Sequence, residues 1–293
     1  MTDINEQLRT TKLQAIETWA QQNPAVRALL LTSSLVNPLA PVDSFSDLDI
    51  ELVFDNNEPY LESDTWLSVF GDPIAMIEEG EACFSGKHGM KMVLYRDGIK
   101  VDFKLYSAAN FVKEVAAPEL PEDWDIGYRI LLDKDGLTSA MKPPTHQVSI
   151  IKKPSVDAFK QLLNDFWWDT TYVAKCLARD EIFYAKFMSE NNLRTAYLVP
   201  LLEWYIASQH HWNITTNKHG RLFKQYLSEE EWEKLELTFS GSVLVDNWKA
   251  LFAMMDIVHE IGKELAARLN YAYLDKLEED IRGYILGVSE FKR

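Results

Sequence analysis

Cysteine is nearly absent: Cys83 and Cys176 are the only two in 293 residues. That is too few for a disulfide framework or a thiolate metal cluster, and it fits a chain with reduced thiols. Long apolar runs are missing as well. The stretch from Val26 to Leu31 is interrupted by Arg27 and is far shorter than a bilayer requires, so no membrane partner is expected. The opening residues Met1-Thr2-Asp3-Ile4-Asn5-Glu6 carry neither the basic flank nor the apolar run of a secretory signal, and a cytoplasmic location is expected. Internal repeats and low-complexity tracts do not occur. Positive charge is in deficit, with 30 Lys and Arg against 45 Asp and Glu and a formal net charge of −15. Such a mean field repels a phosphate backbone and attracts cations. Nucleic acid is therefore excluded as the expected partner, while a local basic pocket for a nucleotide stays compatible with an acidic shell.

What is present divides the chain in two. In the first half, strand and helix patterns alternate. Apolar residues at helical spacing predict a helix over Asn5 to Gln22, and Arg27 to Ser33 predicts a buried strand. Leu48, Ile50, Leu52 and Phe54 alternate with Asp47, Asp49, Glu51 and Val53, a strand with one polar face. Pro59 to Phe70 reads as a helix and Pro73 to Glu78 as a strand. Met90 to Arg96 and Ile99 to Tyr106 flank Asp97-Gly98, a strong hairpin signal, and Ser107 caps a helix running to about Ala117. Lys142-Pro143-Pro144-Thr145 reads as a linker. Beyond it strand patterns stop, and amphipathic helices are expected over Ser155–Arg179, Leu193–His211, Glu229–Phe239, Val245–Leu269 and Leu274–Leu286, with a capping box at Ser228 to Glu231. The expected fold class is α+β: a domain with a mixed sheet over residues 1–150, then an all-helical domain over 151–293.

The most informative segment is Ser44-Phe45-Ser46-Asp47-Leu48-Asp49-Ile50. Residues two apart on a strand share a face, so Asp47 and Asp49 point the same way. Two carboxylates side by side repel each other unless a cation lies between them, and Mg²⁺ takes this kind of oxygen ligand. On the second hairpin strand Asp102 alternates with apolar Val101 and Phe103, which makes it a candidate third ligand. The same pattern allows Asp102 to pair instead with Lys100 or Lys104. Upstream, Thr32-Ser33-Ser34 ends a strand in small hydroxyl residues able to approach a phosphate.

Together these segments resemble the aminoglycoside 6-adenylyltransferase (streptomycin adenylyltransferase) family of the polymerase-β-like nucleotidyltransferase superfamily. The points of likeness are Ser34, the Asp47/Asp49 strand and Asp102 in Asp97-Gly98-Ile99-Lys100-Val101-Asp102. They extend through Trp66 to Gly71, Leu131 to Asp135, Phe166-Trp167, Thr171 to Lys175, Leu177 to Glu181, Trp204 to Gln209 and Gly220 to Leu227. The resemblance implies a polymerase-β-like catalytic domain and a helical acceptor-binding domain. It implies transfer of AMP from ATP to a hydroxyl of a cationic, streptomycin-like aminoglycoside, with two Mg²⁺ held by Asp47, Asp49 and Asp102. Ser33 and Ser34 would lie at the nucleotide phosphates and Lys175 would neutralise triphosphate charge, unless it is a solvated helix lysine. Asp102 and Glu181 are the candidate bases, and Trp168, Asp169, Asp180 and Glu181 are candidate contacts for a polycation. Two departures stand out: Ser33 replaces a Gly before the loop serine, and Leu35 replaces the Arg after it. They keep open a nucleotidyltransferase with another small-molecule or protein acceptor, and a non-catalytic nucleotide-binding relative.

Overall fold

The computed structural model describes residues 2–290. The chain forms two compact units, Met1–Val148 and Ser149–Arg293. As the hydropathy pattern indicates, the first is a mixed sheet with helices and the second is helical.

In the first unit, α1 (Thr2–Gln22) leads into β1 (Val26–Thr32), a short 3₁₀ turn over Ser33–Val36, and β2 (Leu48–Phe54). Then follow α2 (Glu58–Glu62), β3 (Pro73–Glu79), β4 (Gly89–Tyr95), β5 (Lys100–Ser107), α3 (Ala108–Val115), α4 (Glu122–Ile126) and β6 (Tyr128–Asp133). The strand order is β3-β4-β5-β2-β1-β6. Among the described residues only β2 and β5 pair in parallel. Strand alternation sends Leu48, Ile50, Leu52, Val101, Phe103 and Leu105 to one face, packed with Ile16 and Ala20 of α1 and with Trp66 and Phe70. Val53 and Tyr106 face the other side, against Phe111 and Val115 of α3 and Trp124 of α4. The even-odd rule of a strand thus puts Asp47, Asp49 and Asp102 on the α3/α4 side.

Some expected elements differ. Pro59 to Phe70 is not one helix: α2 stops at Glu62, Ser63 is extended, and Thr65–Phe70 is a 3₁₀ turn. Packing overrides helical periodicity here, because Trp66 stacks on Trp19 at 5.4 Å and meets Phe103 at 5.1 Å. The strand β6 was not expected. It is an edge strand with no buried residue along its length, so alternation is weak. Gly98 takes φ +84° at the predicted hairpin turn, where its amide donates to the Tyr95 carbonyl (2.9 Å).

In the second unit, α5 (Val156–Ala178) is capped by the Ser155 hydroxyl, which accepts from the Ala158 amide (3.1 Å). α6 (Ile182–Phe187) runs through a π-helical stretch, Met188–Leu198, into α7 (Val199–Gln209). The helix expected from Leu193 therefore begins eleven residues earlier, at Ile182. Pro200 explains the widening: it has no N–H to donate, and its ring would strike a carbonyl four residues back in a regular α-helix. The remaining helices are α8 (Phe223–Tyr226), α9 (Glu229–Glu236), α10 (Leu244–Leu269) and α11 (Asp275–Ser289). The capping box of α9 is formed, with Ser228 and Glu231 bonded reciprocally. Phe159, Phe166, Trp167, Leu201, Met255 and Leu265 are among the residues of the core. Among the described residues no helix is long and apolar enough to cross a membrane.

Candidate active site

The parallel register of β2 and β5 sets Asp49 directly opposite Asp102, and the antiparallel register of β1 sets Thr32 opposite Asp49. Asp47 sits one residue ahead of β2, on the same face. The turn that delivers it is held by α1, where Arg9, nearly buried, donates to the carbonyls of Asp43 (2.7 Å) and Ser46 (3.1 Å). Three carboxylates in one corner of a sheet repel one another, and the structure answers with a cation. The Lys100 ammonium donates to Asp47 Oδ2 (3.1 Å) and Asp102 Oδ2 (2.8 Å). One ammonium among three carboxylates still leaves the corner negative. Burial, then the charges of Asp102 and Asp47, push the Asp49 carboxyl up to about 6, against the opposing pull of the Ser33 hydroxyl and Lys100. Asp102 Oδ1 is buried with no hydrogen-bond partner.

Beside the carboxylates, Ser33 opens the 3₁₀ turn at φ +64°. A serine with negative φ would be the unstrained choice at this position; instead the chain keeps the left-handed backbone that a glycine suits. The constraint comes from Gly127, whose carbonyl accepts from the Ser33 amide (3.1 Å). A side chain on Gly127 would meet the Val36 carbonyl oxygen at 3.0 Å, so the α4–β6 corner packs backbone to backbone on the turn. Ser34 lies half-buried in the turn, and Leu35 packs against the α1-side core. An apolar anchor thus stands where the resemblance expects a cation.

One row deeper lies a polar group that alternation alone had put on an open face. Glu51 is fully buried. It pairs with Lys104 (3.4 Å), its register partner on β5, and accepts from Trp124 Nε1 (2.7 Å). Lys104 also reaches Asp123 (2.5 Å). Burial raises the Glu51 carboxyl, while the carboxylates around Lys104 outweigh its burial and keep it charged. Glu51 and Lys104 fix the mutual register of the two strands that carry Asp49 and Asp102. The readable signal was their spacing, two residues beyond Asp49 and two beyond Asp102.

Lys175 and Glu181 belong to the second unit. Lys175, in the last turn of α5, stands 4.5 Å over the Tyr172 ring. With Ala178, Arg179 and the α11 residues Gly283, Tyr284 and Gly287 it lines an open groove. Glu181 precedes α6, and its carboxylate lies 3.9 Å from Arg179. Trp168 is exposed, whereas the Asp169 carboxylate accepts from Tyr197 (2.9 Å) and Asn192 (3.1 Å). Asp180 follows α5 at φ +62°.

Among the described residues, no three His, Cys, Asp or Glu side chains converge closely enough to hold a metal ion as they stand. Yet the donor set at β2/β5 suits a hard cation: Asp47 and Asp102 share one ammonium, Asp49 lies beside them, and one buried oxygen of Asp102 has no partner. A mixed sheet with acids on adjacent parallel strands, beside a serine turn, is the arrangement that the resemblance to nucleotidyltransferases implies.

The comparisons with known proteins carry this further. The family model described as Streptomycin adenylyltransferase matches residues 7–288. An Aminoglycoside 6-adenylyltransferase of Bacillus subtilis is 31% identical over 92% of this chain and 94% of its own. One of Campylobacter jejuni is 28% identical over 92% and 91%. A crystal structure of an aminoglycoside 6-adenyltransferase from Bacillus subtilis aligns over 96% of this chain and 98% of its own, with 28% identity and a TM-score of 0.48. The chain belongs to the aminoglycoside 6-adenylyltransferase family, within the polymerase-β-like nucleotidyltransferases.

Proposed function

We propose that this protein transfers AMP from ATP to a hydroxyl of a cationic, streptomycin-like aminoglycoside, in a Mg²⁺-dependent reaction that releases pyrophosphate. The observation that carries the reading is the facing of Asp49 and Asp102 across β2 and β5, with Asp47 alongside, in a chain of this family. Asp47, Asp49 and Asp102 would hold two Mg²⁺ ions, which when bound neutralise the triphosphate and stabilise the attacking and leaving oxygens. The rigid pairing of Glu51 with Lys104 beneath them keeps the carboxylates aligned. Ser33 and Ser34 bring small side chains to the phosphates, and Lys175 supplies a cation for them. Asp102 and Glu181 are the two acids able to receive the acceptor's proton. Residues 1–150 form the nucleotidyltransferase domain in this reading, and residues 151–293 bind the acceptor. The net charge of −15 and the exposed Trp168 ring support a polycationic partner over nucleic acid. Use of ATP fits a cytoplasmic enzyme.

The test is pyrophosphate release from ATP, Mg²⁺ and streptomycin, with Asp49→Asn alongside. Turnover in the wild type and a loss of roughly a hundredfold or more in the folded variant are expected; full activity in the variant sinks the metal assignment. The replacement of an Arg by Leu35 favours one second reading, a relative that binds nucleotide without turning it over. ATP binding with no pyrophosphate release for any acceptor would select it, and release with a different acceptor would redirect the substrate class.

A further inference from the structure

Lys100 stands at the carboxylate corner and has no part in the proposed chemistry. It stands two residues before Asp102 on β5, so it shares that face, and its ammonium lies within hydrogen-bond distance of two of the three acids. Its side chain and that of Asp47 are each more than a third exposed, at 37% and 39%, whereas Asp102 is 13% exposed. The contact therefore has a solvent side, and the ammonium has room to leave it.

As placed, the ammonium and a metal ion compete for the same two oxygens, Asp47 Oδ2 and Asp102 Oδ2. Mg²⁺ needs carboxylate oxygens at about 2.1 Å. Asp47 Oδ2 and Asp102 Oδ2 are spread around an ammonium at 3.1 and 2.8 Å instead. An ion between them would also stand within a few ångströms of the ammonium's positive charge for as long as the ammonium stays in place. Electrostatics points the same way: without the ammonium, three carboxylates in one corner would repel, and the metal-free fold would suffer for it.

We propose that Lys100 is an internal counter-cation, which occupies the place between Asp47 and Asp102 in the metal-free protein and must be displaced for a divalent ion to bind. Resting on the metal reading of the three aspartates, the proposal adds a cost to metal entry that is set by this chain's own lysine. Lys100 thus stabilises the empty site and weakens the affinity of the filled one. A purely structural lysine would do only the first.

The full-length protein is titrated with Mn²⁺ alone, free ion being read by electron paramagnetic resonance, and its melting temperature is measured in EDTA and in excess Mn²⁺. Lys100→Met should bind Mn²⁺ roughly tenfold more tightly than wild type, melt several degrees lower in EDTA, and regain more on metal addition than wild type does. Lys100→Arg, which keeps the charge, should stay near wild type in both readings. Wild-type binding with unchanged or weaker affinity in Lys100→Met overturns the proposal, as does Lys100→Arg behaving like Lys100→Met. Absence of Mn²⁺ binding in wild type and Lys100→Met alike overturns the metal reading itself, and this inference with it.

Discussion

At Ser33 the backbone asks for a glycine and the side chain supplies something a glycine cannot. A φ of +64° strains any residue with a Cβ, by about 1 kcal/mol. In return the hydroxyl opposes the rise that burial imposes on the Asp49 carboxyl. Two substitutions separate these effects. Ser33→Gly should leave stability unchanged or raise it by up to about 1 kcal/mol, and Ser33→Val, branched at Cβ, should lower it by roughly 2 kcal/mol. Urea unfolding of the two variants checks the opposite signs. The pairing of Asp47 with Asp49 could be read from alternation alone, because two residues on a strand share a face in any register. The place of Asp102 could not, since it depends on which strand lies next to β2; the family likeness supplied it. Lys100 appeared among the possible partners of Asp102, but its reach to Asp47 follows only from the parallel pairing. The sign of φ at Ser33 is set by the Gly127 carbonyl, 94 residues on along the chain, and no local pattern announces it.

Among the elements, α4 does more than its five residues suggest. Asp125 accepts from the Thr145 amide and hydroxyl (both 2.7 Å) and from the Val148 amide (3.0 Å), and so fastens the proline-containing segment that ends the first unit. Burial opposes ionisation of this carboxyl, but the bonds from Thr145 and Val148 outweigh it and hold it below its ordinary value. A depressed carboxyl contributes stability above its unfolded pKa of about 3.9 and loses that contribution as pH falls further. Asp125→Ala should therefore cost about 1–3 kcal/mol at neutral pH, and the gap to wild type should close below about pH 4. Urea titrations of both proteins at pH 7 and pH 3.5 measure this; a gap independent of pH would assign the effect to packing. Elements with one clean apolar stripe, such as α5 and α10, were legible in the sequence. Those whose form depends on distant partners were not: the break after α2 answers to an aromatic cluster, and β6 to its place at an open edge.

At the scale of the whole molecule the excess of acids is a long-range field. If the acceptor is polycationic, its capture is steered by that field and is screened by salt. The KM for streptomycin should rise several-fold between about 50 and 300 mM KCl, with kcat changing much less. A KM flat in salt would confine recognition to short contacts. The π-helical stretch Met188–Leu198 bears on how chains of this kind can change length over descent. Losing a single residue there would tighten the turn toward an α-helix and swing α7 by about 100°. Leu201, Leu202, Tyr205 and Ile206, now buried, would then face another way. The chain can shed residues from its surface loops with little consequence, but between Met188 and Leu198 a deletion would rewrite the interior, and lineages that keep this helical core are expected to keep the count.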